Sequence, residues 1–295
     1  NLMSLKHGNH RLTYPVWFGT YPKPLAHNGT LVLAGNNASV IAIDMSVREL
    51  PFERIIKSMN KSLHHRGPDD KGTFVSKNKK VVFGHTRLSI VDVKRGHQPI
   101  IEKHNESEYS ITFNGEVYNH NELRKELQKK KYKFKTHSDT EVILKAYIEW
   151  GDKCVHKFVG AFAFAIYDGK KDLVFIARDR TGIKPYYYSL LDDGTFLFSS
   201  EPKGILGYPG FKKEPDNETI TDYFLGMLTF AAGNAGLDKS FFKGISSMNP
   251  GTYAILNKKG LNIKEYWSVP IFTKSLNTKK KNFINLIKKE VENAI

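Results

Sequence analysis

The sequence contains almost no cysteine and no long apolar run, and both absences narrow the class of protein. Cys154 is the single cysteine among 295 residues, so no disulfide can form within the chain. Cysteine-poor chains are typical of reducing compartments, and no stretch approaches the roughly 18 apolar residues of a membrane span. The first fifteen residues also lack the apolar centre of a signal peptide. We therefore expect a cytoplasmic protein without a membrane partner.

Phosphate-binding and zinc-binding patterns are also missing. No glycine-rich loop of the type that cradles nucleotide phosphates occurs, so we do not expect ATP chemistry within these residues. The histidines between residues 64 and 97 follow no zinc-binding spacing, and the one cysteine is remote from them. The sequence therefore predicts neither a metal nor a cofactor in this chain.

Positive charge, by contrast, is abundant, with a formal net charge of +15. A basic balance raises the question of nucleic acid. The lysines, however, occur as short separate runs, at 79–80, 129–131 and 279–281, and no aromatic stacking motif interleaves them. We interpret the charge as an ordinary solvated surface and expect no nucleic-acid partner.

Hydrophobic periodicity predicts a mixed chain of hairpins and paired helices. Alternating residues predict hairpins at 162–178, 186–199 and 252–267, and further strands at 80–92 and 108–114. Helical spacing predicts helices at 51–63, 119–130, 138–150, 219–225 and 277–295, with Asn119 and Ser138 each opening a capping box. Many antiparallel hairpins with helices between them indicate the α+β class.

Five polar segments carry chemically useful side chains: 65–70, 84–92, 113–119, 136–141 and 177–185. Within them, Asn114 and Gly115 end a predicted strand and would offer a side-chain amide beside a backbone N–H, the donor pair of an oxyanion hole. A type I′ turn is the alternative, since Asn-Gly is the commonest sequence for it.

Three charged residues suggest recognition of an α-amino acid. Arg87 lies in an apolar strand, where it either clamps a carboxylate or serves as an outward-facing or internally paired residue, with Asp69 or Asp92 as partner. Glu116 and Asp139 together could hold an ammonium group, although Asp139 is also explained as a helix first-turn acid.

The ordered motifs resemble the class II glutamine amidotransferase domain of asparagine synthetases. The stretches that carry the resemblance run in family order between residues 60 and 267. They are 65–70, 84–92, 96–99, 113–123, 138–143, 160–164, 178–188, 199–201, 249–251 and 266–267. The resemblance implies a four-layer αββα Ntn-hydrolase sandwich of two antiparallel sheets.

The resemblance also implies roles for individual residues. Arg87 would bind the glutamine α-carboxylate, Glu116 and Asp139 its α-amino group, and Asn114 with the N–H of Gly115 would form the oxyanion hole. The same pocket would be lined by Leu88, Ser89, Ile90 and Val91. In the family, an N-terminal cysteine attacks the glutamine amide, and its own α-amine serves as base.

The nucleophile is where this chain departs from the family. Counting back from Arg66, its position falls at or near Ala38, which has no nucleophilic atom and lies inside the chain. Ser39 could replace the cysteine only after cleavage of the 38–39 bond, because a hydroxyl in such a site still needs the freed amine.

The same resemblance implies a domain organisation and a set of substrates and partners. We expect residues 1–36 to be an irregular N-terminal extension, 37–268 the amidotransferase domain, and 269–295 a linker and the first helix of a truncated synthetase domain. Ammonia from glutamine would pass to that domain, which amidates aspartate with ATP and Mg. A homodimer is also compatible. The alternatives are an inactive glutamine-binding or scaffolding domain, and a relative that forms another amide bond.

Overall fold

The computed structural model describes residues 2–7, 10–15, 35–36, 38–40, 52–88, 96–225, 238–269 and 280–294. Within these ranges the strands form two large sheets and one separate hairpin. The hairpin pairs β1 (Leu2–His7) with β2 (His10–Pro15).

The first large sheet, sheet I, has six antiparallel strands. Their order is β15-β14-β10-β9-β8-β7. Their bounds are β7 Ile100–His104, β8 Ser107–Val117, β9 Gly160–Asp168, β10 Leu173–Arg178, β14 Thr252–Asn257 and β15 Gly260–Glu265.

The second large sheet, sheet II, has the order β13-β11-β12-β4-β6-β3, and β5 also pairs with β6. All of its pairings are antiparallel except that of β3 with β6. Its strands are β3 Gly35–Asn36, β4 Ala38–Val40, β5 Asp70–Val75, β6 Val82–Arg87, β11 Tyr187–Leu190, β12 Phe196–Ser199 and β13 Ser246–Ser247.

Six α-helices accompany the sheets in the described ranges. They are α1 Phe52–Ser62, α2 His120–Lys129, α3 Asp139–Trp150, α4 Pro202–Leu206, α5 Asn217–Phe224 and α6 Lys280–Ala294. Short 3-10 turns occur at His64–Arg66 and Gly151–Lys157. None of the helices that the structure describes is long and apolar enough to cross a membrane.

Side-chain alternation along β9 shows how sheet I separates two cores. Phe162, Phe164 and Ile166 pack with the buried residues of α2 and α3, whereas Ala163, Ala165 and Tyr167 join a cluster that contains residues of sheet II. Because successive residues of a strand face opposite sides, one face of sheet I lies against helices and the other against sheet II.

Helix α1 covers the outer face of sheet II. Gly84 of β6 lies so close to Asn60 and Ile56 that a Cβ there would be 2.8 Å from the Asn60 amide nitrogen. Ser58 also donates a hydrogen bond to the Gly207 carbonyl just beyond α4. The layers therefore run helix, sheet II, sheet I, helix, as the expected αββα sandwich requires.

Two expectations about local structure are wrong. Residues 1–36 are not irregular throughout, since β1 and β2 pair over six residues each and Gly35–Asn36 pairs with β6. Asn119 does not cap α2 with its side chain. Its amide instead donates to the Lys157 carbonyl (2.9 Å) and accepts from the Val159 N–H (3.0 Å).

The cap predicted for α3 is confirmed. The Ser138 hydroxyl accepts the Glu141 N–H at 3.3 Å. The Glu141 side chain does not bond back to the Ser138 N–H, as a full capping box requires. Its carboxylate instead accepts hydrogen bonds from the N–H groups of Lys135 and Thr136 and forms a salt bridge with buried Lys145.

Candidate functional site

Arg87 ends strand β6 on the side that faces sheet I. His85, two positions before Arg87, contacts Thr112 of sheet I, and alternation places the two side chains on the same face of β6. Arg87 is buried, and its strand partner across β5 is Asp70. The Asp69 N–H donates to the Arg87 carbonyl at 3.0 Å, which fixes the backbone at the end of the strand.

Asn114 lies on β8 of the opposite sheet and faces Arg87's sheet. Thr112, two residues earlier and on the same face of β8, contacts His85 of sheet II. The ladder partner of Asn114 is Ala163. Asn114 is buried, and its side-chain nitrogen has no hydrogen-bond partner among the described residues. A buried amide donor without a partner costs free energy, so it indicates a place for an acceptor.

Gly115 occupies mid-strand, so the type I′ turn is wrong. Pairing between β8 and β9 continues past it to Val117 and Gly160. Its φ is +138°, and a Cβ there would lie 2.0 Å from the Ala161 carbonyl oxygen. Glycine is therefore required here by both backbone conformation and the close approach of β9.

Ladder geometry shows which way the Gly115 N–H points. Its partner Phe162 uses its own N–H and carbonyl on Asp179, at 3.2 and 2.7 Å, so both groups point away from β8. In an antiparallel ladder this makes Gly115 and Phe162 a non-hydrogen-bonded pair. The N–H of Gly115 then points to the other edge of β8, beyond the end of β7.

Two side chains hold that same edge of β8 on either side of Gly115. Gln98 accepts the Phe113 N–H at 2.8 Å and donates to the Phe113 carbonyl at 3.3 Å. Asp139 accepts the Val117 N–H at 3.0 Å. The Gly115 N–H therefore lies between two anchored groups, next to the buried amide of Asn114.

Asp139 and Glu116 form an acidic pair beside this edge. Asp139 is the first residue of α3 and is buried, whereas Glu116 is exposed. Burial raises the pKa of the Asp139 carboxyl, the Val117 N–H and His120 lower it, and the Glu116 carboxylate raises it. Two neighbouring carboxylates repel each other and favour a bound cation.

Some of the remaining predicted site residues lie near Arg87, and others lie outside the described residues. The backbone of Ala38 lies in β4 opposite Thr86, one residue from Arg87, and Ser39 lies opposite His85. Leu88 follows Arg87 and is 43% exposed. Ser89, Ile90 and Val91 lie outside the described residues.

Cys154 is unsuited to act as a nucleophile. It lies in the 3-10 turn Gly151–Lys157 and is fully buried in the core between sheet I and its helices. Burial raises the pKa of its thiol, and Asp152 raises it further. Since the thiolate is the reactive form, this cysteine is inert.

His85 links the two sheets beneath the site. Its Nδ1 lies 3.1 Å from the Thr112 hydroxyl, and both residues are buried. Burial, and then the charges of Arg87 and His97, lower the pKa of His85 to about 3. The ring is therefore neutral at pH 7.

This pKa predicts an acid-dependent loss of stability. Because the folded-state value of about 3 lies below the unfolded value of about 6.5, the unfolded chain binds the proton more readily. The free energy of unfolding should fall by about 1.4 kcal/mol per pH unit from this group as the pH drops from about 6.5 toward 3. In urea unfolding between pH 7 and 5, His85→Asn should show a correspondingly smaller slope. Exposed His137→Asn is the control, and equal slopes for His85→Asn and the unsubstituted chain would refute the prediction.

No metal site competes with this interpretation in the part of the chain that the structure describes, which contains no group of three or more His, Cys, Asp or Glu placed to bind an ion. His97 instead bonds Asp70 at 2.8 Å. His65 contacts Glu201, which also accepts from Arg66 and Lys203.

Three residues support the site in ways that the sequence alone does not indicate. Gln98 and Thr112 act through backbone and cross-sheet contacts that depend on the packed fold. Asp179 acts through Phe162. Gln98 and Asp179 fall within the matching stretches 96–99 and 178–188, which was the only available indication.

Sequence comparison extends the match to named proteins. The chain is 39% identical over 227 residues to asparagine synthetase [glutamine-hydrolyzing] 3 of Bacillus subtilis, covering 77% of this chain and 36% of the relative. It is 40% identical over 165 residues to asparagine synthetase B of Escherichia coli, covering 56% and 28%. The chain thus spans about a third of the length of these relatives.

Structural comparison confirms the fold. The allosteric regulatory enzyme of purine biosynthesis superposes with a TM-score of 0.54 at 18% identity, covering 78% of this chain and 48% of that one. Glutamine phosphoribosylpyrophosphate amidotransferase from B. subtilis gives 0.51 at 17%, covering 78% and 49%.

The family described as glutamine amidotransferase domain matches residues 39–267, which begin next to Ala38 and include every other described residue of the candidate site. By this match and its asparagine synthetase relatives, the chain belongs to the glutamine amidotransferase domain family.

Proposed function

We propose that this chain binds glutamine in the space between β6 and β8, as the glutamine-recognising half of an asparagine synthetase. The observation that carries the proposal is that Arg87 and Asn114 lie on facing sheets, each two residues past a member of the contact between His85 and Thr112. One cationic residue, one unpartnered amide nitrogen and one acidic pair would then line a single site.

The α-amino acid end of glutamine matches the charged groups. Arg87 supplies two parallel N–H donors for the α-carboxylate, a geometry that suits guanidinium better than ammonium. Glu116 and Asp139 supply negative charge for the α-ammonium. A bound ammonium would offset the burial, and the smaller repulsion from Glu116, that raise the pKa of Asp139.

The side-chain amide of glutamine matches the edge of β8. Its carbonyl oxygen would accept hydrogen bonds from the Asn114 amide and the Gly115 N–H. These are two donors for which the described residues supply no other acceptor. These donors strengthen as the oxygen gains negative charge during attack, so they contribute to catalysis more than to binding.

In the whole enzyme, hydrolysis at this site would supply ammonia for ATP-dependent amidation of aspartate, with ATP and Mg bound outside these residues. A second candidate is glutamine binding without hydrolysis. Ala38 favours it, because the position that needs a nucleophile carries a methyl group. We therefore propose that the chain as given binds glutamine weakly and does not hydrolyse it.

The test is a glutamine titration of the chain followed by ligand-observed NMR. Arg87→Gln should weaken glutamine binding roughly 10- to 100-fold, since a charged hydrogen-bond pair is lost. Arg54→Gln, at an exposed position of α1, makes the same chemical change elsewhere and should leave the affinity unchanged. Equal affinities for Arg87→Gln and the unsubstituted chain would show that Arg87 is not the carboxylate clamp.

A further inference from the structure

His85 and Thr112 bridge the two strands that carry the opposite ends of the proposed glutamine site. The bridge joins His85 Nδ1 to the Thr112 hydroxyl at 3.1 Å, and the two residues are at most 1% exposed. Apart from the packing of apolar side chains, it is a direct polar tie between sheet II and sheet I beneath the site.

The bridge lies at matching positions on the two strands. Arg87 follows His85 by two residues on β6, and Asn114 follows Thr112 by two residues on β8. Since residues two apart share a face and lie about 7 Å apart along a strand, the bridge is one step below both recognition groups. A slip of either strand relative to the other would change the distance from Arg87 to Asn114.

We infer that His85 and Thr112 are a positioning pair that sets the separation between the α-carboxylate clamp and the side-chain amide donors, and so makes the site selective for an amino acid of glutamine's length. This inference rests on the proposed function. Neither residue would touch the ligand.

Two pairs of variants distinguish loss of the hydrogen bond between His85 and Thr112 from a change in the shape of either side chain. Thr112→Val removes the hydroxyl but keeps the shape, and Thr112→Ser retains the hydroxyl. His85→Asn places an amide where Nδ1 stands and retains the bridge, whereas His85→Gln places it where Nε2 stands and breaks the bridge. The second pair also serves if Thr112→Val does not fold.

The readout is the ratio of affinities for glutamine and norvaline, titrated against the full chain. Norvaline keeps the α-carboxylate, the α-amine and the chain length but lacks the amide. Thr112→Val and His85→Gln should reduce the preference for glutamine at least about 5-fold, and the two retaining variants should keep it within about 2-fold. The preference is informative because a loss of folded protein alone weakens both ligands equally.

An unchanged ratio in both bridge-breaking variants, with both ligands weakened alike, would overturn the inference and leave the proposed function standing. Equal binding of glutamine and norvaline by the unsubstituted chain, or binding of neither, would instead overturn the proposed function and the inference with it. Loss of the ratio in Thr112→Ser to the same degree as in Thr112→Val would also overturn the inference, because the hydroxyl is then not the cause.

Discussion

A chain that begins at residue 38 and carries Ala38→Cys should release ammonia from glutamine, whereas the chain as given should release none above background. The substitution restores a thiol, and the new terminus supplies the α-amine that acts as its base. The backbone of Ala38 lies opposite Thr86, next to Arg87, so the new α-amine lies at the end of β6 that carries Arg87.

The expected gain is large because the nucleophile and the oxyanion donors depend on each other. Asn114 and Gly115 stabilise a charge that develops only during attack, and without a nucleophile they assist water alone. In hydrolases with a comparable division of roles, loss of the nucleophile lowers kcat by roughly 10⁶-fold. We expect restoration to recover at least about 10³-fold over the unsubstituted chain.

Two controls assign the new activity to the proposed site. Cys154→Ser in the Ala38→Cys chain should leave the rate unchanged, since Cys154 is buried and its thiol is protonated. Asn114→Ala in that chain should lower kcat roughly 10²- to 10³-fold with a smaller change in KM. Ammonia release by the unsubstituted chain at a comparable rate would contradict the prediction and direct attention to Ser39.

Most strands and their pairing could be predicted because alternation is a local property. The hairpin of Gly160–Asp168 with Leu173–Arg178 follows from the Phe/Ala alternation and the turn at Gly169. The cap at Ser138 is likewise local, since the hydroxyl and the Glu141 N–H are three residues apart. Such features need no knowledge of the rest of the fold.

Features that depend on distant partners could not be predicted. Asn119 has the sequence of a helix cap, but its amide bonds instead to Lys157 and Val159, which follow α3 in the chain. Asn114-Gly115 has the sequence of a turn, but β9 pairs through it to the end of an eleven-residue strand. In both cases tertiary hydrogen bonds outweigh the preference of a short sequence.

The candidate site likewise combines features that the sequence indicates with features that depend on the packed fold. The residue types at Arg87, Asn114 and Asp139 suggested amino-acid recognition, and the family resemblance assigned their roles. The sequence could not show that the Gly115 N–H faces an open strand edge. That direction follows from Phe162, whose backbone groups are occupied by Asp179.

Asp179 should therefore be among the most sensitive positions of the domain. Its side chain is fully buried and accepts four backbone N–H groups, those of Phe162, Thr181, Ile183 and Lys184. Its backbone also accepts the Gly251 N–H at 2.8 Å. One carboxylate thus ties the start of β9 to the loop that follows β10.

Asp179→Asn should lower the free energy of unfolding by about 3 kcal/mol, because an amide NH₂ replaces one acceptor oxygen and leaves two buried or part-buried N–H donors facing it, each worth about 1–3 kcal/mol when unpaired. Asp193→Asn is the matched control. Asp193 is exposed and accepts one N–H, from Thr195 at 2.9 Å, so the same substitution there should cost under about 1 kcal/mol. The measurement is the urea midpoint at constant m-value, which isolates stability from changes in compactness. Equal midpoints for the two variants would mean that the loop after β10 holds its shape without the Asp179 carboxylate, and that the orientation of Gly115 is fixed by β8 itself.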